Sequence, residues 1–364
     1  MNLSDQTSQP ACSQRLLVVG QGLAGTVAAL IAAERGWDVA VVDAFPGAAS
    51  SRAAAGILNP VTGPRLNLSW NIDSTLPAAE AFYRNWQRAL ATTFFEPKSI
   101  RRIFRSPSEI DYHTKNIRNP VHQRYLGPLT PSPNSALGEC TIRAAVLNIP
   151  SFLAVTHTWL QQHARVLDGF LDYEQLELHE DRACWQGQVF DKVLFCEGHF
   201  VKNNPWFNCL PFKPAKGQSI SLRCENPIGE DILSSEKWLL PLEGSEALVG
   251  STYEWHDLDE QPTANGRDLL VRKAQQMLPE NAIIEVLEHR AGVRPCSHDR
   301  RPYLGLHPSY PALGIINGMG SKGTLFSPWC AQQWFKHVES NQAIDPAVSI
   351  GRCRKVWRNQ LGRA

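Results

Sequence analysis

Residues 15–43 read RLLVVGQGLAGTVAALIAAERGWDVAVVD, and this stretch decides the fold. It begins with a short apolar run, which is typical of a buried parallel strand. A glycine-rich turn follows, and then a run of small and apolar residues that predicts a helix ending at Gly36. A second apolar run ends at Asp43. The segment therefore predicts a strand–helix–strand unit of the kind that builds parallel sheets.

The turn has the spacing G-x-G-x-x-G, with glycines at Gly20, Gly22 and Gly25. The first glycine of such a turn makes a tight bend, the second lets the backbone approach a pyrophosphate, and the third lets the helix pack on the strand. Asp43 follows Gly25 by 18 residues and would accept hydrogen bonds from an adenosine ribose, which disfavours a ligand with a 2′-phosphate. The pattern indicates a dinucleotide site. A glycine-rich turn that binds nothing is the alternative.

The composition limits the class of protein. A length of 364 residues suggests about two domains. Hydrophobic residues make up 43% of the chain and charged residues 20%, which excludes a disordered protein. With 36 basic and 35 acidic side chains, the net charge of +1 gives no general attraction to nucleic acid or anionic lipid. The histidines show no metal-ligand spacing, so no metal site is expected.

The cysteines and the apolar stretches indicate the compartment. The nine cysteines include no C-x-x-C pair. Residues 1–14 lack the apolar core of a signal peptide and predict a flexible tail. The longest apolar stretch, residues 16–33, is interrupted by glycines, so it does not read as a membrane span. Together these features predict a cytoplasmic protein without a membrane span.

Several further elements follow from periodicity and from stop signals. A helix is expected to begin near Asp73, and another near Pro150 to run to about His163. Three runs without intervening helices predict antiparallel strands. Near the end of the chain, Ser327 and Pro328 have the order of a helix cap and a first helical residue. The remaining predicted elements are strands at 192–196, 218–223, 237–240, 247–251 and 312–316, and a helix around 270–278.

Two segments late in the chain carry a resemblance to a known family. Residues 290–305 read RAGVRPCSHDRRPYLG and residues 317–329 read NGMGSKGTLFSPW. They are similar to the C-terminal signatures of the FAD-dependent D-amino-acid-oxidase superfamily, and the similarity extends in the same order over residues 15–345. Within that superfamily the chain looks closest to glycine oxidase and to the oxidase half of the bifunctional tRNA wobble-uridine enzyme. The GSKG loop matches a G-S-R-G loop there, with Lys322 in place of an arginine.

The resemblance implies an α/β fold, α+β overall, in which an FAD-binding Rossmann-like domain carries an inserted antiparallel-sheet substrate domain. The FAD-binding domain would comprise residues 15–75, 141–212 and 289–364. The substrate domain would comprise residues 76–140 and 213–288.

The resemblance also implies roles for individual residues. The ADP half of a noncovalent FAD would lie on the glycine turn and Asp43. A second group would follow the pyrophosphate, the ribityl chain and the flavin, and a third would face the pyrimidine edge of the ring. The three groups are Gly20, Gly22, Gly25 and Asp43; Ser51, Arg52, Ala55 and Gly56; and Gly320, Ser321, Lys322 and Gly323.

Three of the residues are candidates for the chemistry. Arg294 would bind a substrate carboxylate, because a guanidinium makes a bidentate pair with it. Lys322 would stabilise negative charge on the reduced flavin, and Tyr253 would line the pocket and hydrogen-bond the same carboxylate. The alternatives are an Arg294 paired with Asp299 or Glu288, a solvated loop lysine and an ordinary strand tyrosine.

Two positions depart from the family pattern. The CEG segment at residues 196–198 stands where relatives carry A-x-G, so Glu197 puts the local flavin contact in question. Cys296 lies near the signature but does not match a flavin-attachment cysteine. We expect it to be a small packed thiol, which is why a noncovalent FAD is predicted.

The implied function is an FAD-dependent oxidoreductase that oxidises the C–N bond of a small amine or amino acid such as glycine, sarcosine or a D-amino acid. Hydride transfer to flavin N5 would give an imine that water hydrolyses. Oxygen or another acceptor would then reoxidise the flavin.

Three alternatives remain. A stand-alone tRNA wobble-uridine carboxymethylaminomethyl oxidase would suit the seven basic residues against two acidic ones in 98–124, and the five basic residues in 352–364. A flavin-binding partner protein without turnover belongs to another class. An NAD-dependent dehydrogenase would leave the C-terminal signatures unexplained.

Overall fold

The structure is a computed structural model that describes residues 13–44, 50–51, 53–225, 228–280 and 282–361. The strands are β1 (Arg15–Val19), β2 (Asp38–Asp43), β3 (Ile57–Leu58), β4 (Val61–Thr62), β5 (Asn67–Leu68), β6 (Phe95–Ile103), β7 (Leu126–Ser132), β8 (Ser135–Leu147), β9 (Arg165–Asp168), β10 (Glu177–Leu178), β11 (Ala183–Trp185), β12 (Gln188–Phe190), β13 (Lys192–Phe195), β14 (Ala215–Cys224), β15 (Ile232–Ser234), β16 (Trp238–Pro241), β17 (Glu246–Gly250), β18 (Ile284–Arg294), β19 (Tyr303–Leu306) and β20 (Leu313–Asn317). The helices are α1 (Leu23–Glu34), α2 (Ile72–Ala89), α3 (Pro107–Asn116), α4 (Pro120–Gln123), α5 (Ile149–His163), α6 (Ala264–Gln275), α7 (Gly323–Ser340) and α8 (Arg354–Leu361).

The predicted strand–helix–strand unit forms the centre of a six-stranded sheet with the order β19-β20-β13-β1-β2-β9. β1 pairs in parallel with both β2 and β13, and β20 and β9 extend the parallel part. β19 adds an antiparallel edge. The carboxyl ends of β1, β2 and β13 therefore lie side by side, which is where open α/β sheets bind ligands.

This sheet is covered on both faces. Leu16 and Val18 pack in a cluster with residues of α1, α5 and α7, whereas Leu17 and Val19 pack in another with residues of β11, β12 and β13. The alternation follows from the two-residue period of a strand. It explains why β1 is a continuous apolar run in the sequence, since neither of its faces meets water.

The second sheet has the order β18-β14-β17-β16-β15-β6-β8-β3, and β7 pairs with β8 beside it. β14, β16 and β17 are antiparallel to their neighbours, so the antiparallel prediction is confirmed. In the β14–β18 pair, Ala215 stands opposite Arg294. This register brings Arg294 beside the segment KGQS at residues 216–219.

The helix predicted to begin at Pro328 begins at Gly323 instead, so the prediction that Ser327 caps it is wrong. Ser327 lies inside α7, where its hydroxyl donates to the Gly323 carbonyl oxygen at 2.7 Å. The residues Leu325 and Phe326 are already buried in the core before the Ser-Pro pair. Their packing extends the helix back to Gly323, although the local sequence favours a later start.

The two-domain division stays a prediction. Its boundaries at 140/141 and 288/289 fall within β8 and β18, which both belong to the second sheet. The predicted tail overlaps residues 1–12, which lie outside the described residues. In the part of the chain that is described, no helix is both long and apolar enough to cross a membrane.

Candidate functional site

A cavity of about 720 Å³ opens at the carboxyl ends of β1, β2 and β13 and extends to the second sheet. Its volume lies within the range of roughly 300–1,000 Å³ that ligand sites have. One end is lined by the glycine turn after β1, and we call it the nucleotide end. The other end is lined by Arg294, Tyr253 and the 320–323 loop, and we call it the ring end.

Hydrogen bonds donated by backbone N–H groups hold the residues of the nucleotide end in place. Gly20 N–H donates to Val42 O at 2.8 Å, and Gln21 N–H donates to the Asp43 carboxylate at 2.9 Å. Leu23 N–H donates to Ser51 Oγ at 3.2 Å. The first hydrogen bond within α1 comes from Thr26, so the N–H groups before it have no partner inside the helix. Such a helix N-terminus suits an anionic group.

Gly25 does not line the cavity but makes this geometry possible. A Cβ atom at Gly25 would lie 1.7 Å from the Gly20 carbonyl oxygen, and one at Gly20 would lie 2.7 Å from the Cys196 carbonyl oxygen. Gly20 also has a φ of +95°, which side-chain-bearing residues rarely adopt. The glycines therefore let α1, β1 and the end of β13 approach one another.

Arg294 is held on several sides at the ring end. Its Nη1 group donates to Lys216 O at 3.3 Å and to Thr252 O at 3.2 Å. Its Nη2 group donates to Ser251 Oγ at 2.8 Å. A Cβ atom on Gly217 would lie within 1.9–2.2 Å of three guanidinium atoms, so only glycine leaves room there.

These contacts leave one edge of the Arg294 guanidinium without a partner among the described residues. Of its five N–H donors, both on Nη1 and one on Nη2 are used, so Nε–H and the second Nη2–H remain. Arg101 uses the same pair of donors to bind Glu139 in a bidentate manner. Burial lowers the pKa of Arg294, but an arginine stays charged. The edge can therefore bind a carboxylate in the cavity.

The predicted alternative partners of Arg294 bind other arginines. Asp299 accepts hydrogen bonds from Arg352, and Glu288 pairs with Arg290. The alternative that Arg294 is a structural partner of Asp299 or Glu288 is therefore wrong.

Tyr253 lies next to Arg294 in the cavity. The guanidinium carbon lies 4.9 Å from the centre of the tyrosine ring. The tyrosine hydroxyl is 3.2 Å from Cys296 Sγ, and burial raises the pKa of Tyr253 to about 12. Cys296 is a buried free thiol whose pKa burial raises, as expected for a small packed cysteine.

Lys322 is not the solvated loop lysine of the alternative interpretation. Its Nζ donates to Ser69 Oγ at 2.8 Å, and the side chain lines the cavity. Burial, and secondarily the charge of Arg300, lower its pKa to about 8. Lys322 therefore carries a positive charge at neutral pH, and it directly precedes α7, whose N-terminus adds partial positive charge.

The cavity brings most of the predicted site residues together. Gly25 packs against Gly20 and does not itself line the cavity. Arg52 lies outside the described residues. Sequence reasoning missed Ser69 and Ser251, which hold Lys322 and Arg294. Ser251 lies two residues before the predicted Tyr253, whereas no sequence signal marks Ser69. The predicted residues that line the cavity are Gly20, Gly22, Asp43, Ser51, Ala55, Gly56, Tyr253, Arg294, Gly320, Ser321, Lys322 and Gly323.

The basic segment 98–124 is largely neutralised. Four of its seven cations pair with carboxylates, and three of these carboxylates come from outside the segment. Lys115 and Arg118 are exposed. The charge excess of the sequence is therefore not a continuous basic surface. The four pairs are Lys98–Glu96, Arg101–Glu139, Arg102–Glu109 and Arg124–Asp73.

Comparison with known proteins identifies the family. A profile of the family described as FAD dependent oxidoreductase (DAO) matches residues 15–334. The bifunctional protein MnmC of tRNA 5-methylaminomethyl-2-thiouridine biosynthesis from Marinobacter nauticus is 25% identical over 98% of this chain and 61% of its own length. Glycine oxidase from Pseudomonas putida is 25% identical over 92% of this chain and 97% of its own. The chain thus spans less than two thirds of the bifunctional relative.

Solved structures show the same fold. Glycine oxidase from Bacillus cereus superposes with a TM-score of 0.77, at 19% identity, over 91% of this chain and 96% of its own. Glycine oxidase from Geobacillus kaustophilus superposes with a TM-score of 0.76 at 20% identity, over 92% of this chain and 98% of its own. The predicted fold, a Rossmann-like FAD-binding sheet joined to an antiparallel sheet, is confirmed.

The cavity fits FAD. The glycine turn and the N-terminus of α1 line one end of the cavity with backbone N–H groups suited to a pyrophosphate, and Asp43 stands beside them at the end of β2. At the far end, Lys322 and the N-terminus of α7 suit the electron-rich edge of a reduced flavin. Among the described residues, no cluster of side chains could hold a metal ion.

We expect a G217A substitution to weaken carboxylate binding, because the new methyl group would displace the Arg294 guanidinium. Acetate affinity, followed by the absorption change of the bound flavin, should fall by about tenfold or more. In an R294A background the same substitution should have little further effect, because it acts through Arg294. Additive losses in the double variant would contradict this contact.

Proposed function

Because the chain belongs to the family of FAD-dependent oxidoreductases, we propose that it oxidises the C–N bond of a small amine that carries a carboxylate, such as glycine, sarcosine or a D-amino acid. The observation that carries the proposal is the free edge of Arg294 in the cavity, which offers two parallel donors to a carboxylate. The glycine oxidase relatives support the same substrate class.

The protein's own residues bind and orient the substrate. Arg294 fixes the carboxylate, and Ser251 and the backbone carbonyl groups hold the guanidinium so that it cannot turn away. Tyr253 limits the pocket beside that carboxylate. Holding the substrate in one orientation supplies much of the rate enhancement expected of such a site.

FAD, when bound, supplies the two-electron acceptor for a hydride from the substrate α-carbon. Lys322 is placed to hold positive charge at the ring end, where it favours developing negative charge. Among the described residues that line the cavity, Arg294 and Lys322 are the charged side chains at the ring end, and no carboxylate lines that end. The substrate amine is neutral when it reacts. Water converts the resulting imine to a carbonyl compound and a free amine.

The binding of FAD is proposed to be noncovalent, because Cys296 is a buried thiol and its sulfur contacts the Tyr253 hydroxyl. The electron acceptor is proposed to be oxygen or another oxidant. The cytoplasm is the proposed compartment, since buried cysteines such as Cys140, Cys196 and Cys330 form no disulfide.

The second candidate is oxidation of a carboxymethylaminomethyl group on a tRNA wobble uridine. The similarity to the bifunctional protein over 98% of this chain favours it. The neutralised segment 98–124 speaks against a strong phosphate-binding surface. Binding of unmodified tRNA, measured by filter retention at two salt concentrations, separates the candidates. We expect weak binding. Tight binding that falls steeply with salt would favour the tRNA substrate.

An R294A substitution tests the carboxylate anchor. It removes two charge-assisted hydrogen bonds, so the KM for glycine or sarcosine should rise by roughly 10- to 150-fold. An amine without a carboxylate should lose nothing. R290A is the matched control, because Arg290 lies on the same strand and pairs with Glu288 at the surface. An unchanged KM in R294A would remove the basis of the proposal.

The charge of Lys322 predicts a pH dependence. Its pKa is lowered to about 8, so the cation is present below that pH and is lost as the pH rises through it. A K322R variant keeps its charge, so the ratio of its flavin-reduction rate to that of the native protein should rise above about pH 8. Anaerobic bleaching of the flavin measures both rates, and the ratio cancels the titration of the substrate. A ratio independent of pH would contradict the role.

A further inference from the structure

Glu197 lies in the cavity but has no part in the function proposed above. It follows β13 and lines the nucleotide end. A Cβ atom on Gly20 would lie 3.3 Å from the Glu197 Cα atom, so the residue stands directly behind the first glycine of the turn. That turn and the N-terminus of α1 form the part of the cavity suited to an anionic pyrophosphate.

Both carboxyl oxygens of Glu197 are bound by neutral donors. The Tyr173 hydroxyl donates to Oε1 at 2.5 Å, and Asn204 Nδ2 donates to Oε2 at 2.8 Å. None of the ion pairs among the described residues involves Glu197. Burial raises the pKa of Glu197 to about 7, although the two hydrogen bonds oppose the rise. No cation among the described residues therefore pairs with this group to hold it ionised.

The titratable groups that the structure describes on the neighbouring elements form no ion pair with Glu197. Burial raises the pKa of Tyr173, from the 3₁₀-helix Tyr173–Gln175, and of Cys196 at the end of β13, so both are neutral. In the 3₁₀-helix Gly198–Asn203, burial lowers the pKa of His199 to about 4, and Lys202 is an exposed cation. The Asp43 carboxyl group at the end of β2 lines the same end of the cavity. An ionised Glu197 would thus share this end of the cavity with a second carboxyl group.

We propose that Glu197 holds a proton whenever the dinucleotide is bound, so that binding of FAD takes up one proton at this carboxyl group. The pyrophosphate brings negative charge to the turn behind which Glu197 stands, and it excludes water from the cavity. Both changes favour the neutral acid. The protonated oxygen donates to the Tyr173 oxygen, so the hydrogen of the Tyr173 hydroxyl turns away from Glu197, and the other carboxyl oxygen still accepts from Asn204. The proton comes from solvent, and no other covalent bond changes.

The inference rests on FAD occupying this cavity, and an affinity measurement tests it. FAD is titrated into the full-length apoprotein between about pH 6 and pH 9, and the dissociation constant is followed by flavin fluorescence. In the native protein it should rise above about pH 7, by at most roughly tenfold per pH unit. In E197Q, whose amide reproduces the hydrogen bonds of the protonated acid, the rise that begins near pH 7 should be absent, and only the contribution of Lys322 above about pH 8 should remain.

The matched control is E260Q. Glu260 is also a partly buried acid whose pKa burial raises, but it does not line the cavity. Its substitution should leave the pH dependence of the native protein unchanged. A purely structural role for Glu197 would lower the affinity of E197Q at every pH and keep the native slope, and that result would overturn the proposal.

A second measurement gives its main result on the native protein, and E197Q serves as the comparison. Calorimetric titration of FAD at about pH 7.5, in two buffers of different ionisation enthalpy, counts the protons taken up. We expect net uptake of roughly three quarters of a proton per FAD in the native protein, which is the fraction of Glu197 ionised at this pH before binding, and much less in E197Q. FAD binding without proton uptake would overturn the inference but not the flavoprotein assignment. Failure to bind FAD at any pH would overturn both.

Discussion

The close approach of Gly25 to the Gly20 carbonyl oxygen is the constraint on which the site depends. It seats the N-terminus of α1 against the end of β1, and no side chain fits between them. The same approach lets Gln21 and Leu23 donate to Asp43 and Ser51, so those two residues are positioned by the backbone. Parallel pairing with β2 and β13 then places Asp43 and Glu197 beside the turn. A wider spacing would remove the anion cradle and both of its carboxyl neighbours together.

The sequence predicts the elements whose signals are local. β1 is predicted to the residue, and α1 and α5 nearly so, because strand burial, glycine stops and Pro150 act within a few residues. The start of α7 is misplaced because its first turn is fixed by buried packing. That packing partner is not visible in the local pattern.

The site is predictable only where a motif marks it. The glycine turn, Asp43, Arg294 and the 320–323 loop carry spacing or family resemblance, and all line one cavity. The residues that hold these side chains in place carry no such mark. Ser69 lies 253 residues from Lys322 in the sequence, and Gly217 is on the strand that pairs with the strand of Arg294. Such contacts arise from sheet register and from long-range packing. One sequence alone contains no signal that ties such distant positions together.

The cavity has Arg294 and Lys322 at its ring end and Glu197 at its nucleotide end, and burial changes the pKa of each of these groups. Arg294 stays cationic despite burial, so a carboxylate anchor made of arginine is insensitive to pH. A buried lysine loses its proton more easily, so the positive charge of Lys322 at the ring end depends on pH. At the nucleotide end, burial acts on Glu197 in the opposite direction and favours its neutral form. Desolvation therefore lowers the pKa of a lysine at one end and raises the pKa of a carboxyl group at the other, and both pKa values lie close to neutral pH.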